Sequence, residues 1–363
     1  MTEPFDPAVG PIDDGALETS APKDMAAGVP AVAATARHTF DAAGVRKGLK
    51  LLALVNQTDG FDCPSCAWPD PADRSFAEFC ENGAKAVADA GTRTMATPDV
   101  LAGHTVDELA RHTDRWLNDL GRLTAPVIRR PGSDRYEAIE WHDAFALIGE
   151  RLAGLADPDR AVFYTSGRAS NEAAFLFQLL ARSLGTNNLP DCSNMCHESS
   201  GSALTPTIGI GKGTVTLEDF DEADVIVVIG QNPGTNHPRM LTALQAASER
   251  GASIVAINPL AETGLRAVRN PQDFARPRRL PQALRGTPLA DMLLQVRVGG
   301  DLALLLGVQK ALFALDAVDE DFVAARTDGI EAVRAAVAGT DWDDIEDESG
   351  VTRSEIEALA RRL

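Results

Sequence analysis

The sequence predicts an α/β chain in which a small cysteine-bearing region precedes domains built on parallel sheet. Three observations carry that expectation. The apolar run Val225–Ile229, the helically periodic stretch Met240–Arg250 and the second run Ser253–Ile257 follow one another with Gly251 before the second strand. Strand, helix, strand is the repeating unit of a parallel sheet. Cys63-Pro-Ser-Cys66 and Cys80 then gather three of the five cysteines into one early stretch. Finally, 363 residues suffice to bury a sizeable core and allow two or three domains.

In chain order, residues 1–40 are rich in Ala, Pro, Gly and Asp without sustained periodicity and read as a disordered arm. Leu51–Val55 reads as a strand, followed by the loop signal Asn56-Gln-Thr-Asp-Gly60. Thr105 with Glu108 three residues on is a capping box, which predicts a helix over Val106–Leu120. Arg129–Arg135 supplies a turn, Trp141–Leu155 has helical spacing, and Ala161–Thr165 reads as a short buried strand. Asn171–Leu184 is a strongly apolar helix with Gly185 as its C-terminal cap. Asn258–Gly264 is a loop after the second strand, and Leu302–Leu315 and Ser354–Arg362 are further helices.

The formal charge of −19 argues against a nucleic-acid partner, whose phosphates need a basic surface. Five cysteines are too few and too unevenly placed for a secreted disulfide framework, so Cys63 and Cys66 read as a metal or redox pair in a reducing cytoplasm. No signal peptide is visible, and the most apolar windows fall far short of the ~20 residues of a membrane helix. A soluble protein without a membrane partner is expected.

Several groups of residues are suited to chemistry. In Asp191-Cys-Ser-Asn-Met-Cys196-His197 a thiol and an imidazole stand side by side, and a thiolate is a soft ligand for transition metals. The competing reading is a buried space-filling cysteine, against which stand the polar neighbours Ser193, Asn194, Glu198, Ser199 and Ser200. Gly230-Gln231-Asn232-Pro233, running on to His237, lies between a strand and a helix, where an anionic ligand is favoured. It lacks the Gly-x-Gly-x-x-Gly spacing of an NAD fold. Asn258, Pro259 and Thr263 stand in the next such loop, and Gly299, Gly300 and Asp301 before the following helix, where Asp301 alternatively acts as a cap. Arg168 follows a strand and suits a phosphate or anionic substrate, or equally a surface salt bridge. Cys63, Cys66 and Cys80 could serve an iron–sulfur cluster, whose thiolates come from short loops, a structural zinc site, which is one ligand short unless Asp70 fills in, or a structural dithiol.

The stretch Gly185–His197 resembles the active-site segment of the molybdopterin oxidoreductases, in particular formate dehydrogenase alpha subunits. The similarity runs from about residue 47 onward and is strongest at 61–83, 163–201 and 225–264. It implies a molybdenum or tungsten centre carried as Mo-bis(molybdopterin guanine dinucleotide), with Cys196 as metal ligand and His197 helping to relay a proton. It implies a [4Fe-4S] cluster at Cys63, Cys66 and Cys80, with Asp70 standing where the family has a fourth cysteine. Lys85 is a possible substitute for a lysine between cluster and pterin, whose own place by spacing is Asn82. The Gly230 loop would contact the guanine-dinucleotide tail, and the Asn258 and Gly299 loops would grip guanine and ribose; Cys192 would be structural. The implied organisation is an iron–sulfur region over 41–125, the first part of an α/β domain over 126–190 and an incomplete dinucleotide-binding α/β domain over 191–363. Family members are much longer, so the chain is expected to represent the N-terminal part, with the C-terminal portion absent and weak activity in isolation. Formate or a similarly small substrate and an electron-acceptor protein are the implied partners.

Overall fold

The structure is a computed structural model that describes residue 21 and residues 23–66, 68–166, 169–190 and 197–363. Its centre is a three-stranded parallel sheet ordered Met292–Leu294, Ser253–Ile257, Val225–Ile229. Val225 pairs with Ser253 and Ile229 with Ile257, while Met292 pairs with Val255. Because side chains alternate across a strand, Ser253–Ile257 feeds two cores. Val255 and Ile257 pack with Leu294, Leu304, Ile345 and Ile356 under the helices Asp301–Ala314, Trp342–Ser349 and Arg353–Ala360. Ile254 and Ala256 pack with Val228, Leu241, Leu244 and Leu265 under the helix Met240–Arg250. A parallel sheet covered on both faces explains why this strand reads as an unbroken apolar run.

The predicted strand–helix–strand unit forms with the expected bounds, and Asn171–Leu184 ends on left-handed Gly185 (φ 95°). The capping box is present: Glu108 N–H donates to Thr105 Oγ1 at 3.1 Å and Thr105 N–H to Glu108 Oε2 at 2.7 Å. Four expectations are corrected. Leu51–Val55 is not a strand but ends the helix Val45–Leu54. Between Arg46 and Leu54 there is no β-branched residue, and Leu, Lys, Arg and Ala all favour helix. The helix expected over 106–120 divides into Val106–Arg111 and Asp114–Asp119, because Thr113 takes the Trp116 N–H at 3.2 Å and starts a second helix. Ala161–Thr165 forms no strand among the described residues beyond a bridge at Thr165; its Phe163 N–H is met by Asn188 O at 2.9 Å.

The arm expected over 1–40 is structured from Ala26 onward. Ala26–Ala27 pairs in parallel with Val268–Arg269, and Val29–Ala43 is a helix packed on Glu81–Ala90. Composition misled here because alanine, which looks featureless, is the strongest helix former, and Pro30 sits in the first turn where it is tolerated. Among the described residues no helix is long and apolar enough to cross a membrane.

Candidate functional site: a cysteine loop docked on a dinucleotide-type loop

The cysteine loop is shaped by Asn56, which is buried and adopts a left-handed conformation (φ 55°). Its Oδ1 accepts the Cys63 N–H at 2.7 Å and its Nδ2 donates to Glu78 O at 2.7 Å, so one side chain holds both arms of the loop. Cys80 then caps the helix Glu81–Ala90, its Sγ accepting the Gly83 N–H at 3.4 Å; the Ser65 N–H reaches Cys63 Sγ at the same distance. Gly83 is where the two arms meet. A Cβ there would lie 2.9 Å from Cys63 Sγ and 3.8 Å from Cys80 Sγ, so only glycine leaves room for both sulfurs. Burial pushes the Cys80 thiol up, and the charges of Cys63 and Cys66 push it further, against the Gly83 and Asn82 N–H groups that pull it down. Among the described residues no three His, Cys, Asp or Glu side chains converge on a single ion, so a zinc knuckle is not formed by them. Cys63 and Cys80 stand on either side of Gly83.

Asp70, the residue at the fourth cysteine's place, turns elsewhere. Its Oδ1 lies 2.8 Å from Arg239 Nη1 and its Oδ2 3.5 Å from Arg74 Nη2. Arg239 also grips Glu78 Oε1 through Nη2 at 2.8 Å and Nε at 3.2 Å. Lys85 pairs with Asp89 at 2.9 Å, one turn beyond Glu81 and Asn82 on the same helix face.

The second half of the site lies at the carboxyl edge of the central sheet. Gly230 leaves its strand with φ 64°, its N–H bonded to Ile257 O at 2.9 Å. Gln231 Nε2 and His237 Nδ1 lie 2.7 Å apart, and Asn258 Nδ2 donates to Gln231 O at 3.3 Å. Gln295 Nε2 reaches Pro259 O at 3.2 Å, which ties in the third strand's loop. Pro233 opens the short helix Pro233–Asn236, and Thr263 opens Thr263–Arg266. These two turns touch backbone to backbone: a Cβ on Gly264 would lie 2.6 Å from Gly234 Cα. Asn232 Oδ1 is buried in this contact with no hydrogen-bond partner among the described residues. Beside it is a cavity of about 430 Å³ walled by Asn232, Gly234, Thr235, Thr263 and Gly264, by Glu81, and by the segment from Lys23 to Ala34. Thr263 Oγ1 fastens that segment by donating to Lys23 O at 2.8 Å.

The Gly299–Asp301 turn is not part of this wall. Gly299 has φ 87°, a Cβ on Gly300 would lie 2.6 Å from Glu348 O, and the Arg297 N–H bonds Ser349 O at 2.8 Å. Asp301 opens its helix without a side-chain cap bond; Gly300 holds the cap position. His197 is exposed and precedes the helix Glu198–Ile208. Cys192, Cys196 and Arg168 lie outside the described residues.

The comparison with known families decides what this arrangement belongs to. The profile of the family described as molybdopterin oxidoreductase matches residues 122–314, just over half of the chain. The chain belongs to the molybdopterin oxidoreductase family. An uncharacterized oxidoreductase of Mycobacterium tuberculosis is 47% identical over 358 residues, covering 97% of this chain and 45% of the relative. Protein YdeP of Escherichia coli is 44% identical over 344 residues, 92% of this chain and 44% of YdeP. Formate dehydrogenase H of Escherichia coli is 30% identical over 245 residues, 66% of this chain and 31% of that enzyme. The chain thus spans less than half the length of these curated relatives.

In this member of the family the two halves of the site are joined by Asn82, the place by spacing of the expected lysine, and by Arg239, Trp68 and Ser75, which sequence reasoning did not single out as functional. Asn82 Nδ2 donates to Thr235 O at 2.7 Å, and Arg239, which precedes the helix Met240–Arg250, reaches across to Asp70 and Glu78. Trp68 stands between Phe220 and His237, with ring centroids at 5.7 and 6.5 Å. Ser75 Oγ and Gln272 Oε1, 2.8 Å apart, add a further link. The only signals for Arg239 and Trp68 were their positions, directly after His237-Pro238 and just beyond Cys66. An ion pair across so many residues leaves no local periodicity to read.

Proposed function

We propose that this chain carries the iron–sulfur region and one dinucleotide-binding part of a formate-dehydrogenase-like enzyme, which oxidises formate or another small substrate at Mo-bis(molybdopterin guanine dinucleotide) and passes electrons through an iron–sulfur cluster to an acceptor protein. The observation that carries this reading is the docking of the cysteine loop on the Gly230 loop through Asn82–Thr235 and Arg239. A one-electron carrier held by Cys63, Cys66 and Cys80 would then sit close to whatever the Gly230 and Asn258 loops bind.

The residues present fit such a group. The cavity beside Asn232 is of ligand size, lies at the carboxyl ends of parallel strands and is walled by glycines that let a ligand approach the backbone. Asn232 Oδ1, Thr235 and Glu81 supply acceptors of the kind that guanine and ribose donors require. When bound, the molybdenum–pterin group would supply the two-electron redox chemistry that side chains lack. Cys196 would hold the metal, and His197 would take the proton that formate gives up as it becomes carbon dioxide and two electrons. Lys85, on the helix face of Glu81 and Asn82, would lie between the two centres. Formate itself is suggested by the kinship with formate dehydrogenase H.

The test is formate-dependent reduction of a viologen dye by molybdenum-loaded protein, with Cys196→Ser as control. Turnover lost in the variant supports the reading. Loaded protein that leaves formate untouched removes formate as substrate.

A further inference from the structure

We infer that the iron–sulfur group is held by three protein thiolates, those of Cys63, Cys66 and Cys80, and that Asp70 serves as the ion-pair partner of Arg239 instead of a fourth iron ligand. This rests on the iron–sulfur reading above and adds the make-up of its ligand set.

The argument is one of competing demands on a single carboxylate. Both oxygens of Asp70 face guanidinium groups, Oδ1 toward Arg239 at 2.8 Å and Oδ2 toward Arg74 at 3.5 Å, and its side chain is only 16% exposed. Arg239 is 10% exposed and, among the described residues, pairs with Asp70 and Glu78 of the cysteine region and donates through Nη1 to the Trp68 carbonyl at 3.4 Å. The contact with Asp70 lies off the hydrogen-bonding line, so it is a pairing of charges in a poorly solvated setting. To bind iron, Asp70 would have to abandon two cations, leaving Arg239 with Glu78 as its one carboxylate among the described residues. Breaking a buried pair is costly because it strands a charge away from water. Cys63 and Cys80, by contrast, face the common point at Gly83, where a Cβ would lie 2.9 and 3.8 Å from their sulfurs. A carboxylate is also the harder ligand, and iron–sulfur clusters are held by thiolates.

A cubane held by three thiolates has one iron whose outer position falls to water or a small anion. That iron leaves first: on oxidation [4Fe-4S]²⁺ releases one Fe²⁺, gives one electron to an oxidant such as ferricyanide and becomes [3Fe-4S]⁺. The experiment follows this conversion by EPR and iron analysis on the anaerobically purified 363-residue chain, reconstituted with ferrous iron and sulfide. The expected result is loss of one iron per cluster with the paramagnetic three-iron signal, reversed by ferrous iron and a reductant. Asp70→Asn, which keeps an oxygen toward Arg239, behaves the same, whereas Asp70→Cys resists the loss. A wild-type cluster that resists ferricyanide and becomes labile in Asp70→Asn or Cys192→Ser overturns the inference, since that residue is then the fourth ligand. A chain that takes up no iron refutes the underlying iron–sulfur reading instead, and the two failures are distinct.

Discussion

Asn82 and Thr235 stand 153 positions apart, yet the Asn82 amide donates to the Thr235 carbonyl at 2.7 Å. Asn82 is in the first turn of the helix that Cys80 caps, and Thr235 is in the turn that Pro233 opens, so this bond fixes the cysteine loop against the dinucleotide-type loop. Arg239 repeats the connection with charge. The two loops are therefore one structural unit, and disturbing either half should be felt in the other.

Arg239→Ala should be among the most damaging single substitutions in this region. It strands Asp70 and Glu78, both poorly exposed, and removing one partner of a buried pair costs about 3–5 kcal/mol. The urea midpoint should fall accordingly, with Arg239→Lys intermediate because lysine cannot reproduce the two-nitrogen grip on Glu78. A midpoint unchanged in Arg239→Ala would mean that the pair does not hold the loops together.

Gly264→Ala drives a methyl group into Gly234 Cα, backbone against backbone, and should cost about 1–3 kcal/mol as well as narrowing the cavity. Gly213→Ala meets nothing within 4 Å and should stay within about 0.5 kcal/mol of the parent. With guanosine diphosphate as probe, the parent should show a rise in melting temperature that Gly264→Ala loses; equal shifts in both would place the nucleotide elsewhere.

The raised Cys80 thiol makes the iron-free chain sensitive to alkali. Above the ordinary thiol value of roughly pH 8.5 the unfolded chain gives up its proton while folded Cys80 keeps it. Folded protein then binds more protons than unfolded, so stability falls as pH rises, by at most ~1.4 kcal/mol per unit until the folded value is passed. Below that range the contribution is fully present. Denaturant midpoints measured from pH 7 to 10 should show this slope, and Cys80→Ala should flatten it; an equal slope in both would assign it to another group.

How much of this was legible in the sequence depended on whether the cause was local. Val225–Ile229, Met240–Arg250 and Ser253–Ile257 are set by hydrophobic period and by Gly251, all within one short window, and were read with their bounds intact. The loops of Gly230, Asn258 and Thr263 were legible as loops that follow parallel strands, and the structure brings them together. Gly299–Asp301 has the same sequence context but packs on 348–349, a contact that no local pattern announces. Leu51–Val55 was misread because a short apolar run has no period of its own, and Val29–Ala43 because an alanine-rich helix resembles a low-complexity arm. Asn56, Glu78 and Arg239 escaped notice because their work is done by contacts between distant segments.

The measurement that tests the central claim most directly is the iron, acid-labile sulfide and molybdenum content of the anaerobically purified protein, read with its visible spectrum and repeated for Cys63→Ser, Cys66→Ser, Cys80→Ser and Cys196→Ser. The account predicts iron and sulfide in the parent with a broad charge-transfer band, lost when any of the first three cysteines is replaced, and molybdenum that depends on Cys196. Iron and molybdenum both absent, or metal content indifferent to all four substitutions, would contradict it.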